Sequence, residues 1–414
     1  MKKKKMLLYA NYFYPEVSAT SQILTELCQG LKEWYDITVI CSVPCYTGQI
    51  EKKYKTKKYY YEEYDGIKII RVRVKDFDKK NKKSRVFHII SYFIHAISAT
   101  FKVGRQDIVY TISQPPVLGG MLGNIGRIIT KGRLIYNIQD FNPEQIVAVN
   151  YSKNKLILKL MLLLDKHSCK KSSLVITVGK DMQETLKKRF KNKNVPNNVV
   201  INNWMNEKEV YPLEKTNQRV VSFRKKYNLE DKLVIMYSGN LGLYYDLENL
   251  LQIIKDFKDE KDIVFVFVGE GVVKDSLINF CRINKLENIK FIPYQEKKDL
   301  IYSLNAADIH LVVNAKGIKG VSVPSKIYGC LATNVPIFGI LERGSEAWNI
   351  IEESNCGILS ETGNYEEIQK NLEKVIKEKQ NFIRKHATGR RYLEENLTMD
   401  KSIEKYRREI EKVL

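Results

Sequence analysis

Histidine is scarce in this chain, and His88, His95, His167, His310 and His386 form neither an H-x-x-x-H pair nor a paired Cys/His spacing. No metal site is therefore expected. The seven cysteines (Cys28, Cys41, Cys45, Cys169, Cys281, Cys330, Cys356) include no C-x-x-C. Their odd number and apolar surroundings argue against a disulfide framework and point to a reducing cytosol. Long apolar runs are missing too. The stretch after the basic start Met1-Lys2-Lys3-Lys4-Lys5-Met6 ends at Ala10, too soon for a signal-peptide core. Val86 to Phe101 carries two His and three Ser or Thr and falls short of the ~20 residues a bilayer span needs. Helix-turn-helix, zinc-finger and RNP-type motifs are absent as well, so nucleic acid is not an expected partner.

What is present is a globular balance: 44% hydrophobic and 28% charged residues over 414, with a net charge of +21. At roughly 150 residues per domain the length suggests two or three units, each able to build its own core. The basic residues cluster early, at Lys2 to Lys5, at Lys52, Lys53, Lys55, Lys57 and Lys58, and at Lys79, Lys80, Lys82, Lys83 and Arg85. The last cluster runs into Val86-Phe87-His88-Ile89-Ile90-Ser91-Tyr92-Phe93-Ile94, so cations adjoin aliphatic and aromatic groups. That combination suits an anionic bilayer surface, where each cation is worth about 1 kcal/mol.

Short β-branched runs alternate with helix-period segments from Met6 to Ile201 and again from Leu233 to Ile340. This is βαβ alternation and predicts two doubly wound parallel sheets facing a cleft. The polar segment Asn202 to Lys226, with Pro212, reads as the hinge. We expect a first domain over 1–205, a second over 206–385, and a helical tail over 386–414 packing back on the first.

In such folds ligands bind at the carboxyl ends of the strands. After the run Leu233 to Tyr237 comes Ser238-Gly239-Asn240-Leu241-Gly242, and after Ile263 to Val268 comes Gly269-Glu270-Gly271. Glycine lets backbone N–H groups approach a phosphate, although short turns need glycine for steric reasons as well. Further on, Pro324 keeps the chain extended, Ser325 is a good N-cap and Lys326 opens a helix. A lysine in the first turn opposes the helix dipole, which makes sense with an anion such as a pyrophosphate between them. Lys316 and Lys319 are weaker candidates for the same anion.

Several markers make the reading specific: Tyr12-Phe13-Tyr14-Pro15-Glu16, Pro44-Cys45-Tyr46-Thr47-Gly48, Ser113-Gln114-Pro115-Pro116, Asp140-Phe141-Asn142-Pro143-Glu144, Gly239-Asn240-Leu241-Gly242 and Val323-Pro324-Ser325-Lys326-Ile327-Tyr328. With them the chain resembles the family 4 glycosyltransferases of GT-B fold, in the bacterial O-antigen, capsule and exopolysaccharide branch and its fucosamine-transferase-like members. The resemblance implies an α/β GT-B protein with two Rossmann-like domains. It also implies a retaining enzyme; with the diphosphate assigned to Lys326, Ser325 and backbone N–H groups, no metal and no cofactor are expected. The donor would be a nucleotide diphosphate sugar, such as a UDP-N-acetylhexosamine or a related amino sugar, held by the second domain. The acceptor would be a lipid-linked saccharide held by the first through Tyr14, Glu16, Pro115 and Asp140, with the enzyme peripheral at the inner, cytoplasmic face of the plasma membrane. Two departures stand out. The Glu-x7-Glu pair of many members falls on Val321 and Gly329, and their Arg and Lys five apart fall on Asn240 and Tyr245.

On this reading Lys326, Ser325 and backbone N–H groups near Gly242 stabilise the leaving diphosphate. Gly239, Asn240, Gly269 and Gly271 complete the donor loops. Asp140 or Glu144 orients or deprotonates the acceptor hydroxyl, unless Asp140 caps the following helix. Glu16 either lines the acceptor side or caps the helix after Ser18. Gly344-Ser345-Glu346 either caps a helix or meets sugar hydroxyls, and Tyr294 either faces the base or packs. The alternatives are a GT-B sugar-nucleotide epimerase, which the scarcity of His disfavours, and a non-catalytic membrane-bound partner.

Overall fold

The computed structural model describes residues 3–46, 48–77 and 81–414. Lys2, Thr47, Lys79, Lys80 and the side chain of Lys82, all singled out above, lie outside the described residues. The chain forms two compact units. One runs as far as Val147 and adds Ser152–Asn202 and Asp400–Leu414, while the other comprises Ala148–Tyr151 and Asn203–Met399.

The first unit is built on an eight-stranded sheet of β1 (Lys4–Ala10), β2 (Tyr35–Ser42), β3 (Tyr59–Tyr64), β4 (Ile67–Val72), β5 (Ile108–Ile112), β6 (Arg133–Ile138), β7 (Leu174–Thr177) and β8 (Asn198–Val200). Its order is β3-β4-β2-β1-β5-β6-β7-β8, and only β3 runs antiparallel to its neighbour β4. The β3–β4 hairpin turns through Asp65 (φ 52°) and Gly66 (φ 77°), the two positive φ values that a type I′ turn demands.

The second unit holds a six-stranded sheet of β9 (Leu233–Ser238), β10 (Ile263–Val268), β11 (Ile289–Ile292), β12 (Ile309–Val313), β13 (Ile337–Leu341) and β14 (Gly357–Glu361). All its pairings are parallel, in the order β11-β10-β9-β12-β13-β14. Because helices cover both faces, successive residues feed two different cores. Leu233, Ile235, Tyr237, Phe265 and Phe267 join one, while Val234, Met236, Val264 and Val266 join the other. The strand order reverses between β1 and β5 in one sheet and between β9 and β12 in the other. The loops beside these two switch points are where an open α/β sheet leaves a crevice.

Two boundaries differ from the sequence reading. The segment read as a polar hinge contains a helix, Gln218–Lys226, whose Val220 and Phe223 are buried. Of the 386–414 tail, only Asp400–Leu414 belongs to the first unit, where Ile403 fills the space that the missing side chain of Gly30 leaves. The helix Gly389–Asn396 stays in the second unit, because its Leu393 joins the core around Leu331.

Candidate active site

The turn after β9 is built by close backbone approach. Gly239 sits at φ 148° and Gly269, after β10, at φ 144°. A Cβ on Gly269 would lie 1.9 Å from the Gly239 carbonyl oxygen, and one on Gly271 would lie 2.0 Å from that of Leu241. The two turns are laced together by the Gly239 N–H donating to Val268 O (2.9 Å), Leu241 N–H to Glu270 O (2.9 Å) and Val273 N–H to Leu241 O (3.1 Å). Gly269 and Gly271 thus have a complete steric explanation as the buttress of the first turn. Asn240 is exposed and Gly242 is buried at the start of a single 3₁₀ turn, Leu243–Tyr245.

Lys326 reaches this turn from the other side of the switch point. It is the first residue of the helix Lys326–Thr333, and its Cε lies 3.4 Å from where a Cβ on Gly239 would be. Its ammonium sits 3.7 Å from the ring centroid of Tyr245 and 4.6 Å from that of Tyr237. Among the described residues no carboxylate pairs with it. Burial lowers this ammonium from the usual 10.5 to about 7, because an enclosed cation loses its hydration. Tyr237 is fully buried and its hydroxyl donates to Asn240 O at 2.7 Å. Burial pushes that phenol well up, and the neighbouring Tyr245 and Tyr294 add to the effect. Tyr294, about half exposed, therefore belongs to the same group.

Ser325 differs from its expected capping role. Its backbone is already helical (φ −58°, ψ −21°) and its side chain makes no capping bond. Lys319 is committed elsewhere: its ammonium donates to Arg343 O at 2.6 Å, and the N–H groups of Gly317 and Lys319 donate to Glu342 Oε2 at 2.9 and 2.8 Å. Gly344, at φ 72°, faces the Lys319 ammonium. Ser345 caps the helix Glu346–Ser354 by accepting from Trp348 N–H at 3.4 Å, and Glu346 is buried in its first turn. At Gly329, a Cβ would already stand 3.3 Å from Leu304 and Met205 side chains. That position is packed and holds no carboxylate.

In the first unit, Tyr14 stacks on Tyr64 with centroids 3.7 Å apart, and its carbonyl accepts from the buried Arg71 at 2.6 Å. Glu16 accepts from the N–H groups of Cys45 and Tyr46, tying the loop after β1 to the loop after β2. Ser18, not Glu16, caps the helix Ala19–Leu31. Pro115 is buried after β5, and Val117 beyond it holds φ 63° in a turn closed by Leu118 N–H to Pro116 O at 2.7 Å. A β-branched residue at that φ is strained. Asp140, half-buried after β6, receives Gln114 Nε2 on its carboxylate at 3.5 Å, while its N–H donates to Ser113 Oγ at 3.1 Å.

Glu144 does not fit the catalytic role expected for it. Arg189, almost completely buried, donates from Nε to its Oε1 at 2.7 Å and from a terminal nitrogen to its Oε2. The same guanidinium pairs with Asp165 and donates to Asn142 O at 2.7 Å. Glu144 is thereby a support for the Asp140–Pro143 loop. Arg189, Asp165 and Tyr237 carry no site signal in the sequence, and Tyr245 enters there only as the position of a missing family lysine. The nearest to a signal is that Asp165 is a lone acid in the otherwise apolar and basic helix Lys155–Lys171.

Two doubly wound sheets, each in its own unit, are the architecture of the GT-B fold. Residues 221–391 match the family described as Glycosyl transferases group 1. The chain is similar to "Probable glycosyltransferase WbjE" of Pseudomonas aeruginosa, 27% identical over 65% of this chain and 66% of that one, just under two thirds of its length. It is also similar to "Putative colanic acid biosynthesis glycosyl transferase WcaI" of Escherichia coli, 24% identical over 79% and 81% of the two chains. Its fold matches that of Anabaena Alr3699/HepE, solved with UDP and glucose, at a TM-score of 0.71 and 13% identity, covering 99% of this chain and 100% of that one. The chain has the GT-B fold, and the stretch that matches the glycosyl transferases lies in its second unit.

Proposed function

We propose that the protein transfers a sugar from a nucleotide diphosphate donor, a UDP-N-acetylhexosamine or related amino sugar, to a lipid-linked saccharide during surface polysaccharide synthesis. The observation that carries this reading is the half-buried Lys326 ammonium beside the Gly239 turn, with no carboxylate partner among the described residues. A partly desolvated cation of this kind is stabilised by a ligand's negative charge. The leaving diphosphate supplies that charge, so the reading needs no metal. Two similar proteins are consistent with it: one is a putative colanic acid biosynthesis glycosyl transferase, and another, alike in fold, was solved with UDP and glucose. Retention of configuration, with the leaving phosphate helping to deprotonate the acceptor, follows the family resemblance. Asp140 is our choice for orienting the acceptor hydroxyl, since Glu144 is engaged by Arg189.

A lipid-borne acceptor accords with the outer surface of the first unit. No described helix is long and apolar enough to cross a membrane. Helix Lys82–Thr100 nonetheless exposes Val86, Phe87, Ile90 and Ile94, and helix Lys155–Lys171 exposes Leu156, Ile157, Leu160 and Leu163. Both pack against helix Leu118–Thr130. The one acid between Lys153 and Lys171 is Asp165, buried against Arg189, so the charges left facing outward are lysines. Such a face suits an anionic bilayer at the inner side of the plasma membrane.

The test is nucleotide release from a panel of UDP- and GDP-sugars, with and without a polyprenyl-diphosphate-linked saccharide. Acceptor-dependent release from one donor is expected. Release that ignores the acceptor, or none from any donor, would remove the proposal.

A further inference from the structure

Lys326 and its two aromatic neighbours come from three different elements: the first turn of a helix, the end of β9 (Tyr237) and the 3₁₀ turn Leu243–Tyr245. The rings also fix each other. Tyr237 and Tyr245 meet edge to face with centroids 5.8 Å apart, Tyr245 meets Tyr244 in the same way at 6.5 Å, and the Tyr237 hydroxyl is anchored on Asn240 O. A desolvated ammonium over a tyrosine face is attracted by the ring quadrupole, and the effect is strongest where water is excluded. Besides the two rings, the titratable group that acts on this ammonium is the Cys330 thiol, one turn along its own helix, while Tyr294 acts on Tyr237. Neither is a carboxylate. The ring faces are thus what holds the lysine in place, on the side of the Gly239 turn where Cε has ordinary van der Waals room.

We propose that Tyr237 and Tyr245 are positioning residues for the donor: their ring faces hold the Lys326 ammonium beside the Gly239–Gly242 turn while the site is empty, so the cation is in place when the diphosphate arrives. A free lysine side chain would lose rotamer entropy on gripping a phosphate. The rings have already removed that freedom, which is preorganisation of a charge. Tyr237 is a core residue as well, so Tyr245, half-buried in a surface turn, is the one to substitute.

This inference rests on the donor reading of the site. The experiment is calorimetric titration of UDP and GDP into the full-length protein and into Tyr245→Phe, Tyr245→Leu, Lys326→Ala and the Tyr245→Leu/Lys326→Ala double variant. Thermal melts check that each is folded. Tyr245→Phe keeps the ring face and should bind within about twofold of the parent, whereas Tyr245→Leu should lose about tenfold. In the Lys326→Ala background the leucine substitution should change nothing further, because its effect runs through the ammonium. A loss of equal size in both backgrounds, or a phenylalanine as damaging as leucine, would overturn the proposal while leaving the donor reading intact. A parent protein that binds neither nucleotide would overturn both.

Discussion

Glu144 and Arg189 form a forked ion pair, with Nε to Oε1 at 2.7 Å, and the same guanidinium donates to Asn142 O in the loop after Asp140. The two carboxylates of the Asp140-Phe141-Asn142-Pro143-Glu144 motif therefore separate by role. Asp140→Asn should lower kcat by about 100-fold with little change in melting temperature, as removal of a group acting on the acceptor proton does. Glu144→Ala should instead cost about 2 kcal/mol of stability by leaving the buried guanidinium short of a partner. Parallel melting curves and initial rates for the two variants check the division. Equal kcat losses at unchanged stability would assign Glu144 to the chemistry after all.

This division shows where sequence reasoning stops. Strands such as β9 and β10 were legible because parallel strands covered on both faces read as unbroken apolar runs. β3 was not, since Tyr59-Tyr60-Tyr61-Glu62-Glu63-Tyr64 lies at a sheet edge with its residues partly exposed. The Asp65-Gly66 turn was the signal overlooked. The edge strand β14 escaped for the same reason. Lys326 and the Gly239 turn could be paired from sequence because both lie after strands of one doubly wound sheet. The pairing of Arg189 with Glu144, or of Tyr245 with Lys326, joins residues far apart in the chain through side-chain direction, which composition and spacing do not encode.

Burial that lowers Lys326 to about 7 has a defined consequence for pH. A diphosphate favours the charged amine, so donor binding takes up a proton when the free site is partly neutral. UDP affinity should fall about tenfold between pH 7 and 8.5. Lys326→Arg should flatten that slope because a guanidinium stays charged, and Lys326→Ala should lower turnover at least about tenfold. In the unliganded protein below about pH 7 the amine is protonated in both folded and unfolded chains and its burial cost is felt in full. As pH rises from about 7 towards 10.5 the unfolded chain binds more protons, so this group makes stability rise. Proton uptake is measured by titrating UDP in two buffers of different ionisation enthalpy. Equal apparent enthalpies at pH 7.5 would contradict the lowered value.

The lacing of the two glycine turns gives a structural control. Gly269→Ala places a methyl 1.9 Å from Gly239 O at φ 144°, and the backbone must shift. We expect a loss of at least about 2 kcal/mol together with weakened UDP binding, since the Gly239 turn moves with its buttress. Gly363→Ala, at φ 85° with open space around it, carries the left-handed penalty alone. It should cost about 1 kcal/mol and leave UDP binding unchanged. Denaturant melts and UDP titrations of the pair separate steric support from simple backbone strain.

On the proposed membrane reading, the basic cluster before helix Lys82–Thr100 and the exposed leucines of helix Lys155–Lys171 would make separable demands on a bilayer. Cations act at a distance and are screened by salt, whereas aliphatic side chains act by insertion and are not. Changing Lys80, Lys82, Lys83 and Arg85 to Glu should reduce sedimentation with anionic liposomes mainly at low salt. Changing Leu156, Leu160 and Leu163 to Ser, all exposed on one helix, should reduce it at every salt concentration, because each lost aliphatic side chain removes about 1.5–3 kcal/mol of burial available in the bilayer interface. Neither set should alter UDP binding, since the donor turn and Lys326 lie in the other unit. Sedimentation indifferent to salt and to both sets of changes would mean that this surface does not meet a bilayer, and the lipid-linked acceptor would then need another route to the enzyme.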